Sequence, residues 1–150
     1  MSPSVATLSP RELAAWRGLL AVHARVTRDL DTQMRAEHGI SVSAYEVLLF
    51  LAEAPGNRLR MAEIADRVLL SRSGLTRLVD RLVELGYVTR CVADEDRRGS
   101  FAELTEAGRR QFEAARRSHL AGVRAEFLDR LSAADQEALG AIWGKLRGDA

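Results

Sequence analysis

The chain has 150 residues, 47% apolar and 29% charged, with a formal net charge of +1. That is enough chain for one domain with a real core, and its ordinary soluble composition argues against disorder beyond the ends. No apolar run approaches the roughly 18 residues that a membrane span requires, and the opening MSPSVATLSPREL lacks the basic-then-apolar order of a signal peptide, so a cytoplasmic protein with no membrane partner is expected.

Taken in chain order, Ser9-Pro10-Arg11-Glu12 is a strong helix opening: Ser9 can cap, Pro10 suits the first helical position, and Glu12 completes a capping box. Leu13, Trp16, Leu19, Leu20, His23, Val26, Leu30 and Met34 then recur at three- and four-residue steps and predict a long helix ending near His38-Gly39. Ser43-Ala44-Tyr45-Glu46 reads as a second capping box, opening a helix that stops before Pro55-Gly56. Leu59 marks a short strand. The next helix carries Met61, Ile64, Ala65 and Val68 on one side, and a tight connection through Leu69 and Leu70 leads to another helix from Ser71 to Leu85. Two short helices so closely spaced, the second polar at its N-terminus, are a helix-turn-helix.

That second helix buries a stripe of Leu75, Leu78, Val79, Leu82 and Leu85 and presents Arg72, Ser73, Thr76 and Arg77 on the opposite face. Such side chains bond phosphates and base edges, and a helix N-terminus adds backbone N–H groups and a favourable dipole. Gly86 ends the helix, Tyr87 to Cys91 reads as a strand, Asp94 to Gly99 as a charged hairpin tip, and Phe101 to Leu104 as the returning strand: a DNA-reading helix followed by a basic wing. Thr105 then caps a long helix with Phe112, Leu120, Val123, Phe127, Leu128 and Leu131, and Ser132 to Asp135 opens a last one with Leu139, Ile142, Trp143 and Leu146. The terminal helices lie outside the helix-turn-helix yet carry full apolar stripes, and a second copy of the chain is their simplest cover.

Net charge says little about nucleic acid, because a local basic surface can coexist with a neutral total. Of the basic side chains only Lys145 is lysine, so helix and wing carry guanidinium forks suited to phosphate and guanine. The single cysteine, Cys91, excludes a disulfide scaffold and a zinc cage and is expected simply to pack in its strand. His23, His38 and His119 are too far apart in sequence for a metal pair or a nucleophile–base spacing. No paired carboxylates, nucleophile elbow or phosphate loop appears, so no catalytic residue, metal or cofactor is expected and the chain is not read as an enzyme.

The series Met61 to Arg67, Leu70 to Leu82 and Leu85 to Arg90, with Asp96-Arg97-Arg98 followed by Leu104-Thr105 and Gly108, resembles the MarR family of winged helix-turn-helix transcription regulators, over residues 10 to 147. The fold class implied is mainly α with a small β wing, a winged helix-turn-helix flanked by N- and C-terminal dimerisation helices. In residue ranges this means a dimerisation helix over 1–38, a DNA-binding lobe over 39–105 and dimerisation helices over 106–150.

By the same resemblance the partner is double-stranded DNA, bound by a homodimer as a pseudo-palindromic operator, most simply to repress. Ser71, Arg72, Ser73, Gly74, Thr76, Arg77 and Arg81 map to the recognition helix. Arg97 and Arg98 map to the wing tip, Arg98 entering the minor groove with Asp96 as its ion-pair partner. A small aromatic or phenolic effector is also implied, with Trp16, His23 and Tyr45 as candidates to line its site. A winged-helix module that binds protein and has lost DNA binding is the alternative, opposed by the intact Arg72, Arg77 and Arg98.

Three positions depart from easy helix chemistry. Leu69 stands where the family often has glycine, and a leucine in the left-handed region costs about 1 to 2 kcal/mol. Arg60 occupies a capping position, a loss of about 1 kcal/mol unless another group substitutes. Gly74 sacrifices about 1 kcal/mol of helix propensity, for which close approach to a phosphate offers a reason.

Overall fold

A computed structural model describes residues 7–68, 70–92 and 99–149. The helices are α1 Pro10–His38, α2 Val42–Glu53, α3 Met61–Val68, α4 Arg72–Glu84, α5 Glu106–Glu126 and α6 Ala133–Arg147; the strands are β1 Arg58–Arg60, β2 Val88–Val92 and β3 Ser100–Leu104. The strands form one antiparallel sheet in the order β1-β3-β2, with Leu59 opposite Ala102 and Cys91 opposite Phe101. None of the described helices is long and apolar enough to cross a membrane. The chain divides into two compact units, one of residues 1–30 and 123–150, the other of 31–122. The boundaries between these units fall inside α1 and α5.

Residues 31–122 hold the hydrophobic core. Val47, Leu48 and Leu51 of α2, Ile64 of α3, Leu75, Val79 and Leu82 of α4 and Val88 and Ala102 of the sheet are all buried. The expected α4 stripe is therefore the one that docks, with Leu78 and Leu85 packed at its margin. Two polar ties fix the start of α5 to the segments that lead into β1 and β2. Thr105 donates its hydroxyl to the Gly86 carbonyl at 2.7 Å and accepts the Gly108 N–H at 3.0 Å, as the expected cap. Arg109 donates to the side chain of Asn57 at 2.6 Å, holding a residue whose φ of 57° asparagine tolerates.

The start of α2 differs from the sequence reading. Its cap is Ser41, whose Oγ accepts the Ala44 N–H at 3.0 Å, and Ser43 lies inside the first turn. The physical reason is tertiary: Asp31 of α1 accepts the Val42 N–H at 2.9 Å, satisfying a donor that would otherwise be orphaned. Ile40 and Tyr45, both buried, then occupy the two positions of a hydrophobic staple.

In the unit of residues 1–30 and 123–150, Ser9 and Glu12 form the expected capping box on α1, and Ser132 and Asp135 form another on α6. Arg25 bonds both the side chain and the backbone carbonyl of Glu126, each at 3.1 Å. Phe127, Leu128 and Leu131 do not continue the α5 helix as their spacing predicts. The helix stops at Glu126, Phe127 turns to φ −132°, and a short 3₁₀ turn over Leu128–Arg130 leads to the Ser132 cap. No described residue of α6 is buried, and Trp16, Leu20, Ile142 and Leu146 are exposed by 46% or more.

Candidate nucleic-acid interface

Ser71 caps α4, accepting the Gly74 N–H at 3.1 Å. From this fixed start the 3.6-residue repeat turns Leu75, Val79 and Leu82 inward and leaves Arg72, Ser73, Thr76, Arg77, Asp80 and Arg81 exposed. The helix-turn-helix expected from the sequence is present in α3 and α4; Leu69, in its turn, lies outside the described residues. Gly74 has a local explanation, since a Cβ there would meet Ser71 Oγ at 3.1 Å. Glycine leaves the capping hydroxyl room. Arg60 at the start of α3 is supported by one half of a capping box, its backbone N–H donating to Glu63 Oε2 at 3.2 Å.

Arg72 and Arg77 decide what this face can do. Neither guanidinium has an ion-pair or hydrogen-bond partner among the described residues. Asp80, a conceivable neutraliser of Arg77, is taken by Arg90 of β2, whose Nη2 lies 3.1 Å from Asp80 Oδ1 and 3.5 Å from the Thr76 carbonyl. Arg81 has only an exposed contact with Glu84 at 3.4 Å, worth little in water. Thr76 donates its hydroxyl to the Arg72 carbonyl at 2.9 Å, which leaves its oxygen able to accept. Seven of the expected DNA-facing residues thus share one helix: Ser71 at its cap, Arg72, Ser73, Gly74, Thr76 and Arg77 in its first turns, and Arg81 in its last. Asp96, Arg97 and Arg98 lie outside the described residues.

Arg90 is a side chain bordering this face that the sequence reading passed over. In a strand, residues two apart share a face, so Arg90 goes with buried Val88 toward α4 and not with the solvent-facing Thr89. That alternation was the available signal. Cys91 is half-buried and its thiol donates to Glu103 Oε2 at 3.5 Å.

The expected effector residues do not share one setting. Trp16 and His23 are exposed side chains of the first unit. Tyr45 belongs to the second and is only 4% exposed, its ring 5.8 Å from that of Phe112 and 4.6 Å from that of His119. Tyr45 is thus a core residue before it can be a pocket wall. Burial pushes the Tyr45 hydroxyl and the Glu46 carboxyl up and the His119 ring down, in each case favouring the neutral form. His119 Nδ1 is buried without a hydrogen-bond partner among the described residues. Among the described residues no group of three or more His, Cys, Asp or Glu side chains is placed to hold a metal ion.

A sequence model described as MarR family matches residues 38–99. The solved structure of Sco3205, a MarR family transcriptional regulator from Streptomyces coelicolor in complex with DNA, superposes with a TM-score of 0.87 at 33% identity, covering 94% of this chain and 92% of that one. The chain belongs to the MarR family. AbsC, a second MarR family transcriptional regulator from Streptomyces coelicolor, gives a TM-score of 0.83 at 34% identity over 96% of this chain and 99% of its own. The HTH-type transcriptional regulator PrsX of Escherichia coli is 32% identical over 122 residues, 81% of this chain. The match spans 64% of PrsX, less than two thirds of that regulator's length. In MarR-family terms, α3 and α4 are the helix-turn-helix, and β2 and β3 are the strands of the wing.

Proposed function

We propose that this protein is a sequence-specific DNA-binding transcriptional regulator that acts as a homodimer on a pseudo-palindromic operator and represses by occupying promoter DNA. The observation that carries the reading is the pair of exposed guanidiniums, Arg72 and Arg77, left without partners among the described residues on a capped helix of a helix-turn-helix. An α-helix about 10 to 12 Å across fits a major groove about 12 Å wide. The DNA complex of Sco3205, a relative of similar length and the same family, supports the same reading. Such a role places the protein in the cytoplasm.

Homodimerisation is part of the proposal, supported by the exposed Trp16, Leu19 and Leu20 of α1 and Ile142 and Leu146 of α6. So is release by a small aromatic or phenolic effector, which rests on family membership. Trp16 and His23 offer accessible side chains for it and Tyr45 does not. An effector would act only as far as its affinity differs between the DNA-competent and incompetent states.

The test is fluorescence anisotropy with a duplex from the chain's own upstream region against a scrambled duplex. Wild-type protein should prefer the former and bind more weakly as salt rises. Arg77→Ala should lose about 1 to 3 kcal/mol on the preferred duplex and much of the discrimination. Equal affinity of wild-type protein for both duplexes would overturn the reading.

A further inference from the structure

We propose that Arg35 of α1 and Arg60 of β1, which belong to neither the recognition helix nor the wing tip, each hold a DNA phosphate, on opposite walls of the groove that α4 enters. The assignment rests on the DNA-binding reading above and names further positioning residues for it.

Its starting observation is that α4 stands between two hollows. The one facing the α1–α2 junction has a volume of about 500 Å³ and is rimmed by Arg35, Arg77 and Arg81 over Ile40 and Leu78. The other, beside β1, has a volume of about 300 Å³ and is rimmed by Arg60, Arg72 and Thr76 over Met61 and Leu75. Arg77 and Arg81 are four residues apart, as are Arg72 and Thr76, so each pair marks one flank of the helix. No carboxylate lines either hollow among the described residues. Each is therefore a concave, cation-rimmed surface with its own contribution from outside α4.

Groove geometry supplies the ligand. A helix that nearly fills a major groove has a sugar–phosphate wall along each flank, and those walls are rows of anions. Any side chain that reaches past a flank of α4 from a neighbouring element meets that row and not the base edges. Among the described residues lining the hollows, Arg35 and Arg60 are the cations that come from outside α4. Both are also pre-set. Arg35 Nε donates to Asp31 Oδ2 at 2.7 Å, and Asp31 is itself held by the Val42 N–H. The Arg60 guanidinium lies 5.1 Å from the centre of the Phe101 ring, which Arg58 also covers at 4.5 Å. A restrained arginine loses less freedom on binding than a mobile one.

Phosphate contacts position a protein without reading sequence, which sets the expected signature. Arg35→Gln and Arg60→Gln should each weaken binding to the preferred and the scrambled duplex by the same factor, roughly three- to tenfold at low salt. Removing one phosphate-bound cation from each subunit lowers the slope of log affinity against log salt by about 2 per dimer. In ethylation interference, each Gln variant should become insensitive to one phosphate per half-site, and the two phosphates should lie on opposite strands bordering the major groove. Arg35→Lys and Arg60→Lys, which keep the charge, should retain most of the slope, and this separates a missing cation from misfolding.

An unchanged slope in either Gln variant, a weakening confined to the preferred duplex, or two phosphates on the same strand would overturn the two-walled assignment while leaving DNA binding intact. Failure of the wild-type protein to bind either duplex would instead remove the reading beneath it, and the assignment with it.

Discussion

Gly108 cannot carry a side chain. A Cβ on it would collide with the backbone oxygen of Tyr87 and sit 2.8 Å from Leu104 Cδ1. That oxygen already accepts the Thr105 N–H at 3.1 Å, so a shift to relieve the clash would break the tie between the wing strands and α5. Gly108→Ala should therefore destabilise the protein by about 3 kcal/mol, measured by urea denaturation, although alanine is the better helix former. A stability within a few tenths of wild type would show that the backbone yields. His119 gives a pH dependence. Burial holds its ring below the usual histidine range, so the folded protein keeps it neutral while the unfolded chain takes up a proton as pH falls below about 6.5. Stability contributed in this way is complete above that pH and is lost as pH drops toward the depressed folded value. Thermal melting across this window should fall with pH in wild type and fall less in His119→Phe, which preserves a ring beside Tyr45; parallel curves would discharge His119 from the effect.

Among the elements, those whose signals are local were legible. The caps at Ser9, Ser71, Thr105 and Ser132 are each within three residues of the N–H they bind, and the α4 stripe repeats at helical spacing. What escaped was decided by residues distant in the chain. Asp31 moves the α2 cap from Ser43 to Ser41 across eleven positions, and Arg90 reaches back fourteen residues to Thr76. The end of α5 was hidden for another reason: Ala125, Glu126 and Phe127 include neither glycine nor proline, and an apolar spacing alone cannot separate a continuing helix from a turn that half-buries the same side chains. The candidate site divides likewise. Its α4 half was readable because polar and apolar residues sort onto opposite faces of one helix. Arg35 and Arg60 were not, because their relevance depends on α1 and β1 lying beside that helix.

At the scale of the whole molecule, the unit of residues 1–30 and 123–150 leaves an apolar surface that solvent would not tolerate cheaply. Trp16 is 53% exposed and Leu146 70%. Under the proposed homodimer, sedimentation velocity at micromolar concentration should report twice the mass of one chain. Leu20→Asp should move that boundary toward the monomer and reduce operator affinity, because a single subunit engages a single half-site. A monomeric wild type would sink the homodimer. The guanidiniums of Arg72 and Arg77, unpaired among the described residues, would act even where no operator is present. A genome offers millions of ordinary sites to a cationic helix, so most copies of such a regulator would idle on irrelevant DNA and find their target by sliding. Promoter occupancy would then be set by rivalry among sites, and an increase in chromosome number per cell would dilute repression even at constant protein concentration.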